Sequence, residues 1–355
     1  YRPARLVSAS RGVTHGWPRQ PGAEYRQADV TDPAAIGGLI DEVRPDIIFH
    51  VAAQRSPALA EAEVHRTVSA NVLGARNVLT AAAQAGVAQV VCASTGKALR
   101  PYSPEIYTAS KRAGEWIAAS TARTSGMLCC AARFTHVMDN SIVHGLLRDW
   151  AMADDGIIRL HGAEIAFYVQ SAAESAQLLL IAMLGAEPGE FRVHAISDLG
   201  WPVSLLDVAL GVLRETRSAT PLYISGYDPG YEEAAFPGLY DPATAGDVSP
   251  LLNAFETAAS TAAPCPMLDS FRLDMTPDPA APKLLRALEE TCLRTTDDHA
   301  VRQALDELSW SLLDATLAAA DPAALARCAA LVRLHEGDMS PVHRRITQAI
   351  RTHAD

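Results

Sequence analysis

No cysteine pair in this chain has C-x-x-C spacing, and its eleven histidines show no metal-ligand spacing. The six cysteines are Cys92, Cys129, Cys130, Cys265, Cys292 and Cys328, mostly in apolar surroundings. Cys129-Cys130 lies in a strand-like run, where neighbouring side chains point to opposite faces. This pattern excludes a disulfide scaffold and predicts no structural metal; it points to reduced, buried thiols in a cytoplasmic protein. Basic charge is also scarce. Against 41 Asp and Glu stand 30 Lys and Arg, a net charge of −11, and no basic patch is present to meet nucleic-acid phosphates. Long apolar runs are missing as well: Ala176 to Ala186 is too short to span a bilayer, and no signal peptide is visible. Neither nucleic acid nor membrane is an expected partner.

What is present is a chain of 355 residues, 49% of them hydrophobic, enough for the core of one large or two medium domains. Arg5 to Ser10 reads as a strand ending at Ser10-Arg11, followed by a Gly/Pro loop over residues 12–24. A second short strand, Tyr25 to Ala28, runs into Asp29-Val30-Thr31-Asp32. Helical spacing covers Pro33 to Val43, and a strand Ile47 to Val51 closes on the small residues Ala52 and Ala53. Residues 62–85 read as helix, Val87 to Thr95 as an apolar strand, and a helix opens after a Pro-rich loop. Strands alternating with helices predict a parallel sheet covered on both faces. Ligands of such sheets bind beyond the carboxyl ends of the strands, where Asp29, His50 and Thr95 fall.

The new helix carries Tyr107 and Lys111. At a spacing of four they share one helix face, so the ammonium is expected beside the phenol, lowering its pKa from about 10. Thr95, at the end of the adjacent strand, can hydrogen-bond the same substrate oxygen. Such a set is suited to moving a proton while a hydride moves.

The phrases ADVTD, PDIIFHVAAQ, SANVLGARNVL, STGKA and YTASKRAGEW resemble the extended short-chain dehydrogenase/reductases. They are most similar to the CapD-like bacterial polysaccharide-biosynthesis branch, which dehydrates or epimerises nucleotide sugars. The resemblance covers about residues 4–235. It implies an α/β fold, a Rossmann-like doubly wound parallel sheet, with a smaller substrate domain and a C-terminal helical extension. The expected divisions are 1–155 for the dinucleotide-binding part, 156–250 for the substrate part and 251–355 for the extension. It also implies roles. Asp29 and Val30 would contact the adenine of a nicotinamide cofactor, and Ala52 and Ala53 would line its pyrophosphate and ribose path. Lys111 would hold the nicotinamide ribose and tune Tyr107, the acid/base, while Thr95 would orient the substrate oxygen. Ser94, Thr135 and His136 are the substrate-side candidates, and Asn71 is expected to brace the central helix and strands.

Several positions depart from the pattern. The family's G-x-x-G-x-x-G, which cradles pyrophosphate at a helix N-terminus, is not among these residues. The sequence starts at Tyr1 rather than Met, at about the second strand of the fold, so roughly thirty upstream residues are expected to be missing from it. Ser10-Arg11 replaces the acid that grips the ribose of NAD, so the cofactor is read as NADP or NAD, with Arg11 favouring NADP. Gly96 replaces the Asp of S-T-D-K, which removes the acid for dehydration. Lys97 could still serve as a base beside a carbonyl if burial lowers its pKa. Ala166 and Asp228 stand where the family aims arginines at a nucleotide diphosphate, so the small-molecule substrate is expected to be sugar-like but not a usual UDP-sugar.

The expected activity is an NAD(P)-dependent oxidoreductase or epimerase at a secondary alcohol or ketone. A ketoreductase or dehydrogenase of a natural-product pathway and a non-catalytic scaffold relative are the alternatives. Residues 250–355 carry Pro-rich linkers at Pro264–Pro266 and Pro277–Pro282 and four amphipathic helices, with caps at Asp297 or Asp298, Asp321 and Ser340. These helices read as an appendage on the substrate part, or as a lid or dimerisation element of a homo-oligomer.

Overall fold

Asp32 and Pro33 together start the first helix. The Asp32 carboxylate accepts from the Ala34 and Ala35 amides at 2.9 and 3.0 Å, and Pro33 supplies a preset φ where no donor is needed. Local signals of this kind recur along the chain. The computed structural model describes residues 3–12, 19–139, 141–226, 236–241, 244, 249–273, 280–334 and 339–354.

In chain order, the strands of the first half are β1 (Leu6–Ser10), β2 (Ala23–Gln27), β3 (Ile47–His50), β4 (Gln89–Thr95) and β5 (Leu128–Phe134). The helices among them are α1 (Pro33–Val43), α2 (Pro57–Ala62), α3 (Val64–Val68), α4 (Gly74–Ala85) and α5 (Ile106–Ser125). Short strands follow: β6 (His136–Val137), β7 (Ile158–Leu160), β8 (Ala166–Phe167) and β9 (Val169–Gln170), then β10 (Phe191–Ile196), β11 (Val203–Ser204), β12 (Leu222–Ile224) and β13 (Leu268–Arg272). The later helices are α6 (Ile142–Met152), α7 (Ala172–Ala182), α8 (Leu205–Thr216) and α9 (Ala254–Ala258). The chain closes with α10 (Ala281–Arg294), α11 (Asp298–Ala319), α12 (Pro322–Leu334) and α13 (Pro341–Ala354).

The main sheet has the order β13-β10-β5-β4-β3, and β1 and β2 form a separate parallel pair. β3 and β4 are parallel, with Ile47 opposite Gln89 and His50 opposite Cys92. This is the expected α/β class. β4 is nearly all buried, as a central parallel strand is. β3, at the sheet edge, leaves Phe49 and the following Val51 exposed.

The chain divides into two compact units: residues 1–132, 182–193 and 272–320, and residues 133–181, 194–271 and 321–355. In the first, α1 packs against α4, and α4 is pulled onto the turn after β2. Asn77 donates to the Val30 carbonyl at 2.9 Å, and a Cβ on Gly74 would come within 2.7 Å of Val30 Cγ2. Gly86 and Gly126 end α4 and α5 with φ of 72° and 71°, a conformation that only glycine adopts without strain. The second unit holds a cluster in which α6 and α8 pack around Ile158, Leu160, Ala209 and Val212.

Two expectations change here. The helix read over residues 62–85 is interrupted: α3 runs into a π-helical turn, Ser69–Leu73, before α4 starts. The cause is non-local, because Asn71 in that turn is bound to the backbone of Gln54. The extension 251–355 also does not form one body. α10 and α11 fall in the first unit, tied by Arg76 to Glu289 and Glu61 to Arg302, while α12 and α13 fall in the second. The expected divisions at 155 and 250 therefore differ from the two units, which are assembled from interleaved segments.

Candidate active site

The carboxyl end of β4 and the first turn of α5 bring the Thr95 and Tyr107 side chains together. Thr95 also accepts from the Lys97 amide at 3.3 Å, capping a 3₁₀ turn, Gly96–Leu99, that carries the chain away from the sheet. One turn along α5, the Lys111 ammonium donates to the Ala93 carbonyl at 2.6 Å, inside β4. Thr95, Tyr107 and Lys111 thus surround one strand end.

The electrostatics of the phenol differ from the sequence expectation. Burial raises the Tyr107 pKa, and the Thr95 hydrogen bond and the charge of Arg55 only partly oppose it. The Lys111 ammonium is turned to the Ala93 carbonyl rather than to the phenol. Burial lowers the pKa of Lys111 itself, against the raising influence of Cys92 and Glu115. Tyr107 is thus held as a neutral phenol. Arg55 has no signature in the sequence beyond being a cation in the loop after β3.

His50, at the end of β3, is a third titratable group at this site. Burial and the charge of Lys111 lower its pKa to about 4, so it is neutral at pH 7. Its depressed value means that the unfolded chain binds a proton more readily than the folded chain between pH 6.5 and about 4. Stability should therefore fall as pH drops through that window. In His50→Gln the acid side of a thermal-midpoint profile should be flatter; an unchanged slope would refute the assignment.

Asn71 joins the loop after β3 to the helix of Tyr107. It accepts from the Gln54 amide at 2.7 Å and donates to the Gln54 carbonyl and to Ser110 Oγ, both at 3.1 Å. Ser110 in turn donates to the Tyr107 carbonyl at 2.8 Å. This is the expected brace, made through a π turn; such turns are frequent at functional sites.

The other candidates separate. Ser94, one residue before Thr95, is buried and donates to Glu115 at 2.6 Å. Glu115 also meets Arg112, which reaches the Ala98 carbonyl. Ser94 is therefore part of a buried polar network. Alternation along the strand puts Ser94 and Thr95 on opposite faces. Lys97, expected as a base, lies 3.1 Å from Glu105, which also receives Thr108 and has Arg100 at 3.7 Å. That ion pair ties up the ammonium, and 39% of the side chain is exposed.

After β2, the Asp29 carboxylate accepts from the Thr31 amide and hydroxyl, both at 2.9 Å. Val30 packs on Gly74, and Ala52 and Ala53 are exposed at the end of β3. Ser10 and Arg11 are exposed at the end of β1, where Ser10 donates to the Gly12 carbonyl at 2.7 Å. In the second unit, Thr135 is bound through its amide and hydroxyl to Gln170. The His136 ring lies 2.6 Å from Ser141 Oγ and against Phe167, and burial lowers its pKa. Ala166 is exposed in β8, paired with Ser204. Tyr1, Asp228 and part of Pro277–Pro282 lie outside the described residues. Among the described residues no cluster of His, Cys, Asp or Glu could hold a metal ion, and no single helix is long and apolar enough to cross a membrane.

A family model described as "Polysaccharide biosynthesis protein" matches residues 23–233. The capsular polysaccharide biosynthesis protein CapD of Staphylococcus aureus is 29% identical over 217 residues, 58% of this chain and 35% of that protein. The chain thus spans about a third of the length of the curated relatives it matches first. Among solved structures, Pen from Bacillus thuringiensis superposes with a TM-score of 0.62 at 18% identity, covering 78% of this chain and 81% of that one. The UDP-glucose 4-epimerase of Thermus thermophilus, in complex with NAD, gives 0.52 at 18% identity, over 63% and 79%. At these identities the structural likenesses show the fold.

Proposed function

Because the chain belongs to the polysaccharide biosynthesis protein family, within the extended short-chain dehydrogenase/reductases, we propose that it works with a nicotinamide dinucleotide at a secondary alcohol or ketone of a sugar-like substrate. The observation that carries this reading is the juxtaposition of Thr95 and Tyr107 at the end of β4, with Lys111 one turn away. The donor set suits the cofactor at two of its ends. Asp29 and Val30 offer a polar and an apolar wall at the end of β2, and Lys111 a cation at the end of β4. Ala52 and Ala53 lie exposed after β3 with side chains too small to obstruct a ligand. When bound, the nicotinamide would accept or give a hydride at the substrate carbon. Exposed Arg11 suits the 2′-phosphate of NADP, whereas the solved epimerase likeness is an NAD complex.

The residues of this chain supply the proton chemistry. Tyr107 Oη gives its proton to a substrate carbonyl oxygen, or takes one from the hydroxyl in the reverse direction. Thr95 Oγ holds the same oxygen in place. Lys111 supplies positive charge near the forming alkoxide, which is where charge develops. Gly96 brings no acid to expel a hydroxyl, and Lys97 is paired with Glu105. Chemistry at one carbon, as net oxidation, net reduction or inversion, is therefore favoured over dehydration. Ala166 withholds an arginine from a nucleotide diphosphate, which leaves sugars without that group in contention.

The test is a thermal-shift screen of the full-length protein with NAD, NADP, UDP- and dTDP-sugars and non-nucleotide sugars. Each stabilising pair would be followed at 340 nm. Stabilisation by one dinucleotide and absorbance change with one sugar class are expected. Failure of both dinucleotides to bind would refute the proposal and leave a scaffold relative.

A further inference from the structure

The helices beyond the family match are fastened to the elements that hold Tyr107. Arg76 of α4 forms a two-pronged ion pair with Glu289 of α10. The His65 amide donates to Asp298 at 2.7 Å, and the His65 ring meets the Cys292 carbonyl at 2.9 Å. The remaining fasteners lie at the start of α5. Tyr102 donates to Asp306 at 2.5 Å and stacks on Trp310 with ring centroids 3.9 Å apart. Glu61 of α2 accepts the Ile106 amide on one oxygen and the Arg302 guanidinium on the other, each at 2.8 Å.

The last contact bears on the site directly. The first amides of a helix have no partner within it, and Glu105, at the cap position of α5, makes no side-chain cap. Glu61 fills that role from another helix, with a negative charge where the helix dipole favours one. Ile106 immediately precedes Tyr107, so the direction in which α5 starts sets where the phenol lies. Packing alone does not fix this start. A cavity of about 400 Å³ lies between α11 and residues 103–109, lined by Ser103, Pro104, His299, Arg302, Gln303 and Asp306 among others. Polar fasteners hold the joint that the cavity leaves loosely filled.

We propose that Arg302, in the helical region outside the family match, is a positioning residue: by orienting Glu61 it sets the first turn of α5 and keeps Tyr107 against Thr95. The ion pair is partly exposed, at 39% and 33% of the two side chains, so its own contribution to stability is small. Its effect falls on geometry. The assignment of a proton-transfer role to Tyr107 rests on the function proposed above; the positional claim does not.

The experiment is a titration of the Tyr107 phenol by ultraviolet difference absorbance, each variant read against the same variant carrying Tyr107→Phe. Wild type, Arg302→Met, Arg302→Lys and Glu61→Gln would be compared in the full-length protein. By charge alone, losing the Arg302 cation would raise the phenol's pKa and losing the Glu61 anion would lower it, so a shift of both variants in the same direction reports movement of the ring. Arg302→Met and Glu61→Gln should let water in and move the titration toward the ordinary value near ~10, and Arg302→Lys should restore it. Once a substrate is identified, the same two variants should lose about 10- to 100-fold in kcat with KM little changed. An unchanged titration in Arg302→Met and in Glu61→Gln overturns the proposal. Wild-type protein without turnover would remove the enzymatic reading alone, since the titration stays readable.

Discussion

Tyr107→Phe should cut turnover by about 10²- to 10⁴-fold, about 3–5 kcal/mol of barrier, while cofactor and substrate still bind. The change deletes one oxygen and keeps the ring. Packing around α5 is retained, and Thr95 loses only its partner hydroxyl. The remaining groups do not replace the phenol: Thr95 is too weak an acid, and the Lys111 ammonium is committed to the Ala93 carbonyl. The direction of the reaction should matter. With burial holding the phenol above its ordinary value, Tyr107 is protonated near neutral pH and suited to ketone reduction. Alcohol oxidation needs the phenolate, so its rate should climb with pH further into the alkaline range than that of an exposed tyrosine, and Tyr107→Phe should lose that climb. Steady-state rates in both directions over pH check this. Full turnover in the variant would remove Tyr107 from the chemistry.

The elements around this site were legible because their signals are local. Asp32-Pro33 announces α1, and caps at Asp297, Asp321 and Ser340 announce α11, α12 and α13. The apolar run ending at Thr95 and the four-residue spacing of Tyr107 and Lys111 place the candidate centre on β4 and α5. What stayed hidden depends on residues far apart in sequence. The π turn at Asn71 exists because Gln54 offers its backbone across 17 positions, and no periodicity reports that. Lys97 has the composition of a catalytic base until Glu105 closes on it. The amphipathic pattern of α10 and α11 says that one face is buried but not against what. The answer lies in pairs such as Arg76 with Glu289 and Glu61 with Arg302, more than 200 residues apart. The pKa direction of Tyr107 was hidden for a related reason: helical spacing puts two side chains on one face, and only the fold decides that the ammonium turns to a strand carbonyl.

In the second unit the largest expected effect on stability comes from Arg133. Its side chain is fully buried, held by Glu256 through two bonds of 2.7 and 2.8 Å and donating to the Leu251 carbonyl at 2.9 Å. The guanidinium also lies 5.0 Å from the centre of the Phe271 ring. Glu256 has a second task, since it closes a capping box with Asn253 at the start of α9. Two charges taken out of water attract strongly, yet the pair barely repays its desolvation; removing one partner is what costs, at about 3–5 kcal/mol. The two single losses should differ. A carboxylate left alone by Arg133→Met can take up a proton, whereas the guanidinium left by Glu256→Gln cannot lose one. Glu256→Gln should therefore be the more damaging of the two. Replacing both residues with Met should cost less than the sum of the single losses, because no charge is then stranded and the two sites are in contact. Urea unfolding of the full chain separates these outcomes. A Glu256→Gln variant within about 1 kcal/mol of wild type would mean that water reaches the guanidinium and that the burial argued here is wrong.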